Sequence, residues 1–346
     1  PGFPVSALTI CRTFVTPALR DAVGLPEPQT ATVAGRLAVD QRSEEGRRRL
    51  LAVGLVADGD GDTLVYPVDK GSGATTSLTE ADGVVDVPAD RQALSAGESV
   101  TVDLFSPDVR PPTLLGVGED DPALSRLLDR LDRPRYLARG SRGGLRSLRE
   151  GVADVAVVAG PHDDVEVVGA AAGAESDGSD TDGETGVTAV DLGSWKREWG
   201  LVVPAGNPEG VEGLADLVDR ELAFVNRDTE SGLRTSLSNA LADLAAERGV
   251  DRREVTDAVA GFERAARAFE SPARSVAAGE ADAGLGLRAT AAKLNLGFVP
   301  VGTQSVRALA NPERVEKSGV RELEELLASG ADDGVFASLD GFAPAE

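Results

Sequence analysis

The chain holds 346 residues with 41% hydrophobic content, which allows more than one core. Acidic residues outnumber basic ones 58 to 35, a formal charge of −23. This argues against nucleic acid or an anionic membrane as partner, because both require a basic face. The acid is spread along the whole length and only four of the bases are lysine (Lys70, Lys196, Lys293, Lys317). A salt-rich cytoplasm favours that pattern, so we read a cytoplasmic protein of an extreme halophile, the alternative being simply an acidic, soluble protein. The one cysteine, Cys11, excludes an internal disulfide and a cysteine-based zinc cluster, and its apolar run SALTICRTFV places it in a core. No segment is apolar for long enough to span a bilayer and no signal peptide opens the chain. The chain lacks methionine and begins at Pro1. The true N-terminus is therefore expected upstream.

In chain order, residues 1–24 predict a Pro/Gly turn and one helix ending near Gly24. Five short strands follow: ATVAGRLAV, RLLAVGLVA, TLVYPV, GVVDVPA and ESVTVDLFS, separated by DGDGD, KGSG and AGE turns. That spacing predicts a small all-β barrel or sandwich ending about Phe105. From Thr113 strand alternates with helix: TLLGVG, DPALSRLLDRL, RYLARG, GGLRSLREG, DVAVVAG. This is the sequence form of a parallel sheet with crossover helices. GAAAGAESDGSDTDGETG, about 169–186, is acidic and of low complexity, and predicts a disordered insertion. The α/β pattern resumes at WGLVVPAG, passes AFVNR and a helix from about Gly232 to Arg248, and returns in ADAGLGL and LGFVPVG. The fold class is thus multi-domain, a small β domain followed by a two-lobed α/β domain with a cleft. The boundaries read 1–28, 29–105 and 106–346.

Two loops share one pattern. ARGSRGGLRSLREG and FVNRDTESGLRTSL each follow a strand, place serine and glycine at the turn, and continue Leu-Arg into a helix. The first N–H groups of a helix lack intrahelical partners and carry the positive end of its dipole. Glycine admits a ligand to the backbone and serine adds a donor, so such a loop suits an oxyanion. The alternative is that Ser141 and Ser231 only cap helices. Remote carboxylates do not forbid an anion, since at molar salt the Debye length is about 3 Å. Arg139, Arg142, Arg227 and Arg234 bias the two mouths towards anions.

These residues match known families. Residues 1–105 resemble the C-terminal end of molybdopterin molybdenumtransferases of the MoeA type: PGFPVSA resembles the end of the molybdopterin-binding domain, and KGSGATTSLTEADGVVDVP the following small β domain. Residues 106–346 resemble a periplasmic-binding-protein-like domain fused to some of these enzymes. GSRGGLRSLREGVADVAVV, GLVVPAGNPEGVEGLADL, FVNRDTESGLRTSL and GEADAGLGLRATAAKLNLGFVP fall in family order. The resemblance implies molybdenum cofactor biosynthesis: insertion of molybdate into adenylylated molybdopterin with Mg2+ and release of AMP, in a homodimer. The fused domain implies binding of molybdate or tungstate. Candidates for the oxyanion are Gly140, Ser141, Gly143, Gly144, Asn226, Arg227, Ser231, Gly232 and Arg234. Pro1, Gly2, Pro4 and Ser6, with Lys70, Ser72 and Ser77, match the edge of the molybdopterin site. The catalytic carboxylate and Mg2+ site of the family fall upstream of Pro1, so this chain alone is expected to be inactive, and no metal site is assigned to it. The segment VGTQSVRALANPERVEKSGV departs from the acidic-aromatic stretch usual after LGFVP.

Other features carry less. His162, in GPHDDVEV, reads as a solvated loop residue, DGDGD as a hairpin turn without the distal glutamate of a calcium loop, and ERVEKSGVRELEELLA as an acidic amphipathic helix. Trp195 and Trp199 read as packing residues. Two alternative functions stay open: a molybdate or tungstate sensor or buffer without catalysis, and the effector domain of a transcription regulator.

Overall fold

The structure is a computed structural model that describes residues 7, 10–26, 31–43, 46–68, 80–161, 165–168, 186–329 and 334–345. Pro1, Gly2, Pro4, Ser6, Lys70, Ser72, Ser77, His162 and nearly all of the acidic segment lie outside the described residues. The chain divides into two units, residues 1–115 with 150–152, and 116–149 with 153–346.

In the first unit a π-helical turn, Cys11–Val15, leads into helix α1, Thr16–Ala22. Cys11 is exposed, against the expectation from its apolar surroundings. Its neighbours Ile10, Phe14, Val15 and Leu19 are exposed as well, so among the described residues this segment does not bury its apolar side. Strands β1 (Thr32–Leu37), β2 (Gln41–Arg42), β3 (Arg49–Ala57), β4 (Thr63–Pro67), β5 (Gly83–Val87), β6 (Ala93–Leu94) and β7 (Ser99–Leu104) follow. They form a closed barrel in the order β1-β4-β3-β5-β7, with β2 and β6 paired separately. Closure leaves no free sheet edge, and alternate residues of β7 point inward, so Val100 and Val102 join Leu51, Val53, Leu55 and Val85 in the core. The DGDGD stretch is the β3–β4 hairpin turn: Asp58 N–H donates to the Asp62 carbonyl at 2.9 Å, and the Asp58 carboxylate accepts from the N–H groups of Asp60 and Asp62.

Asp82, just before β5, is buried and accepts from the Leu55 N–H of β3 at 2.7 Å, extending the ladder by a side chain. Asp82→Ala leaves that N–H without this acceptor and is expected to cost about 1–3 kcal/mol. A shift in the denaturant midpoint of the barrel, with unchanged slope, measures it.

The second unit is built on β8 (Leu114–Gly118), β9 (Pro134–Ala138), β10 (Val155–Ala159), β11 (Val165–Val167), β12 (Val187–Val203), β13 (Phe224–Arg227), β14 (Ala265–Ala266), β15 (Ala283–Leu287), β16 (Gly297–Ala310) and β17 (Phe342–Pro344). The main sheet runs β14-β13-β15-β12-β16-β10-β8-β9. Two long antiparallel strands, β12 and β16, cross the whole sheet. β8 and β10 are parallel on one side of them, and β13 and β15 are parallel on the other. The two lobes therefore share these strands, and the β12/β16 register shifts between Trp199 and Gly200 where one lobe gives way to the other. β12 starts at Val187, earlier than the sequence restart at Trp199 suggested, because Trp195 and Trp199 are core residues within the strand.

Helices follow the strands: α2 (Pro122–Leu128), α3 (Gly140–Arg149), α4 (Leu214–Asp219), α5 (Gly232–Arg248), α6 (Arg252–Ala258), α7 (Ser271–Ala277), α8 (Arg288–Lys293) and α9 (Ser318–Ser329). α5 starts and stops where its local sequence dictates. Ser231 caps it, and Gly249 closes it in the left-handed conformation. α9 begins at Ser318, not at Glu313, and buries Val320, Leu323 and Leu327. The preceding Arg314 is instead buried against Asp154, with Lys317 on the other carboxylate oxygen.

Candidate functional site

The loops after β8, β9 and β13 converge at the junction of the lobes. Ser141, in the first turn of α3, and the start of α5 meet around one carboxylate, that of Glu119, the residue following β8. Its Oε1 accepts from Ser141 N–H at 3.1 Å, from Ser141 Oγ–H at 3.0 Å and from Gly232 N–H at 2.5 Å. Its Oε2 accepts from Ser231 Oγ–H at 3.4 Å. Four donors from both lobes thus enclose one buried anion; Glu119, Ser141 and Ser231 are each 1% exposed. Two helix N-termini aimed at the same carboxylate add the favourable ends of their dipoles.

Close backbone contact between the lobes explains the glycines. A Cβ on Gly232 would lie 2.2 Å from the Ala159 carbonyl oxygen at the end of β10. Gly140 sits at φ +72°, and a Cβ there would lie 2.3 Å from the carbonyl oxygen of Glu230. Arg142 N–H donates to that same carbonyl at 3.3 Å, and Arg146 reaches the Glu230 carboxylate.

Behind the carboxylate runs a second buried layer. Arg197 of β12, fully buried, donates through Nη1 to Asp121 at 2.9 Å and lies 3.5 Å from Glu119 Oε2. Its Nε and Nη2 donate to Gln304 Oε1 of β16 at 2.9 and 2.7 Å. The Gln304 amide then donates to the Gly232 carbonyl at 3.0 Å and to Ser236 Oγ at 2.8 Å. Asp121 also caps α2 by accepting from Ala123 and Leu124 N–H. The first half of the segment after LGFVP, residues 301–310, continues β16 and supplies Gln304.

Arg227, at the end of β13, is 4% exposed, and its Nε and Nη1 have no hydrogen-bond partner among the described residues. Its guanidinium lies over the Phe269 ring at 5.7 Å, and it feels the negative charges of Glu119, Asp228 and Asp120. Burial outweighs that attraction and lowers its pKa below the usual arginine range. Asp120 is pushed the other way: burial first, then Asp121, Glu119 and Glu270, raise its pKa against the opposing pull of Arg227. A carboxyl whose folded pKa is raised contributes stability that is complete at low pH and is lost as pH rises through the folded value. Asp120→Asn is accordingly expected to raise the melting temperature at pH 7, with the gain shrinking towards zero below about pH 4. A gain that is equal at both pH values contradicts this.

Of the sequence candidates, Gly140, Ser141, Ser231 and Gly232 are brought together here, with Arg227 close by. Ser231 Oγ accepts from Leu233 N–H as a helix cap and also donates to Glu119. The other four candidates are engaged elsewhere. Gly143 packs beside Arg139, and Gly144 against the Val117 carbonyl, where its lack of a side chain lets α3 lie on β8. Asn226 binds the Phe262 carbonyl and the Arg227 N–H. Arg234 lies over the Phe262 ring and donates to the carbonyls of Phe262 and Arg227 and to Glu263, so it braces the loop at 262 rather than the serine pair. Sequence reading passed over Glu119, Asp120, Asp121, Arg197 and Gln304. Three consecutive acids between a strand and a Pro-led helix, GVGEDDPALS, were the available signal.

The profile of the PBP superfamily domain matches residues 128–328, more than half of the chain. The chain belongs to the PBP superfamily. Ahead of its PBP-like domain, the profile of the MoeA C-terminal region (domain IV) matches residues 34–105, which covers the β barrel. Molybdopterin molybdenumtransferase 2 of Mycobacterium tuberculosis (strain CDC 1551 / Oshkosh) is 31% identical over 102 residues, 30% of this chain and 25% of that protein. Bacillus subtilis (strain 168) YvgK, an uncharacterized protein, is 31% identical over 148 residues, 42% of this chain and 44% of its own length. The crystal structure of a molybdopterin biosynthesis MoeA protein from Pyrococcus horikosii is 40% identical over 31% of this chain and 25% of that one, with a TM-score of 0.26. The chain spans from a quarter to under half of the length of these relatives. The chain thus carries a MoeA C-terminal region ahead of its PBP-like domain.

Proposed function

We propose that this chain is the C-terminal portion of a molybdopterin molybdenumtransferase whose PBP-like domain binds a tetrahedral oxyanion, molybdate or tungstate, at the junction of its lobes. The observation that carries the binding reading is the convergence of the Ser141, Ser231 and Gly232 donors on one carboxylate. The Glu119 carboxylate stands in for an oxyanion: a delocalised negative charge held by backbone N–H and hydroxyl groups. Buried Arg227, whose Nε and Nη1 have no hydrogen-bond partner among the described residues, supplies positive charge that Glu119 feels. The MoeA C-terminal region supports the wider assignment to insertion of molybdate into adenylylated molybdopterin, as part of a homodimer. Mg2+ belongs to that reaction, but no group of three or more His, Cys, Asp or Glu among the described residues is arranged to hold a metal ion. No step assigned to this chain runs through it.

Two experiments test the proposal. The complete gene that encodes this chain should restore molybdoenzyme activity to cells lacking their molybdopterin molybdenumtransferase, whereas the 346-residue chain alone should not; soluble full-length protein without restoration rejects the enzymatic part. Calorimetry of the chain in concentrated KCl should show saturable binding of molybdate or tungstate that Ser231→Ala weakens about tenfold, the loss of one hydrogen bond to a charged group. Unchanged affinity in Ser231→Ala rejects the assigned pocket.

A further inference from the structure

The carboxylate at the centre of the site belongs to the protein itself. The ring's donors are turned on it: each serine hydroxyl has one hydrogen to give, that of Ser231 lies against Glu119, that of Ser141 has Glu119 at 3.0 Å as its nearer acceptor and the Ala159 carbonyl at 3.5 Å, and the N–H groups of Ser141 and Gly232 also go to Glu119. The backbones around the ring are already in contact, with no room for a Cβ on Gly232 or Gly140. A second anion therefore finds no free donor in the ring while Glu119 stays. Glu119 is carried by the loop after β8, whereas Ser231 and Gly232 belong to the loop after β13, so its carboxylate also ties one lobe to the other.

We propose that Glu119 is a tethered competitor of the oxyanion: it fills the anion site and holds the lobes together without ligand, and an oxyanion binds only by displacing it. The proposal rests on the oxyanion reading of this site. The exchange suits a dianion better than a simple swap of charges suggests. Glu119 satisfies the four donors, but Arg227 Nε and Nη1 have no hydrogen-bond partner among the described residues. A tetrahedral dianion carries more charge than the Glu119 carboxylate it replaces, and Arg227, which already feels the Glu119 charge, is the buried cation that can balance it. Because the tether makes Glu119 intramolecular, it competes at a high effective concentration, and the wild-type site is expected to bind weakly. Glu119 therefore sets the ligand threshold of the domain.

The test is titration of the 346-residue chain with sodium tungstate in concentrated KCl, for wild type, Glu119→Ala and Glu119→Gln. Glu119→Ala is expected to bind tungstate at least tenfold more tightly than wild type. Glu119→Gln, which keeps the shape but not the charge, should fall between them and guards against a folding defect in the alanine variant. Amide exchange over residues 229–236 provides the second readout. Without tungstate it should be faster in Glu119→Ala than in wild type, and tungstate should slow it again. Equal tungstate affinity in all three proteins overturns the proposal while leaving the oxyanion site in place. Absence of binding in all three removes the oxyanion reading, and the proposal with it.

Discussion

Arg197→Met is expected to destabilise the PBP-like domain by about 3–5 kcal/mol, the range for removing one partner of a buried charge network. At roughly 2–4 °C per kcal/mol for a domain of this size, the melting temperature falls by on the order of 10 °C. Arg197 is fully buried, and it is the cation beside both Asp121 and Glu119. Methionine fills similar space, so the loss reports charge rather than a cavity. Two carboxylates are left in the interior, and Gln304 Oε1 loses both of its donors. Arg197→Lys restores the charge but not the two-pronged contact with Gln304, and should recover part of the loss. A loss below about 1 kcal/mol for Arg197→Met would mean that these carboxylates are held by other groups, and the layered description of the site would be wrong.

Arg227→Met is expected to do the opposite to stability while removing function. The Arg227 guanidinium is buried, its Nε and Nη1 have no hydrogen-bond partner among the described residues, and burial outweighs its attraction to Glu119, Asp228 and Asp120. Its replacement by an apolar chain that still packs on Phe269 should stabilise the domain by about 1–3 kcal/mol, the cost of a buried polar group left unsatisfied. Oxyanion affinity should fall by at least a hundredfold, because the charge-assisted bonds to the ligand are gone. Stability surrendered to a site is the expected mark of a residue kept for binding. A destabilised Arg227→Met that still binds tungstate normally would assign Arg227 a purely structural role.

Much of the fold was legible because local rules and packing agree. The barrel strands alternate or run apolar between turn residues, and α5 is bounded by a serine cap and a glycine stop, so both stand where their sequence puts them. The paired loops were legible for the same reason: Ser141 and Ser231 occupy helix starts whose orphan N–H groups need acceptors. Which acceptor they meet depends on tertiary geometry. Glu119 lies 22 residues from Ser141 and 112 from Ser231, and nothing local in GVGEDDPALS says which of three acids turns inward. Arg197 and Gln304 face each other because β12 and β16 pair over thirteen residue positions, a register invisible from either strand alone. Arg234, one turn into α5, could face the pocket or the loop at 262 as far as its sequence tells, and at 262 Phe262 offers it both a ring and a carbonyl. Cys11 misled because an apolar run buries only where another element covers it.

An oxyanion site at the lobe junction makes the melting of the chain depend on tungstate concentration, and Arg227→Met is the control. A ligand that binds only the folded state stabilises by about 2.7 kcal/mol at a hundred times its dissociation constant. The wild-type transition of the PBP-like domain should therefore climb with the logarithm of tungstate concentration, while that of Arg227→Met starts higher and stays level. A flat wild-type curve, or parallel rises in the two proteins, would contradict the account.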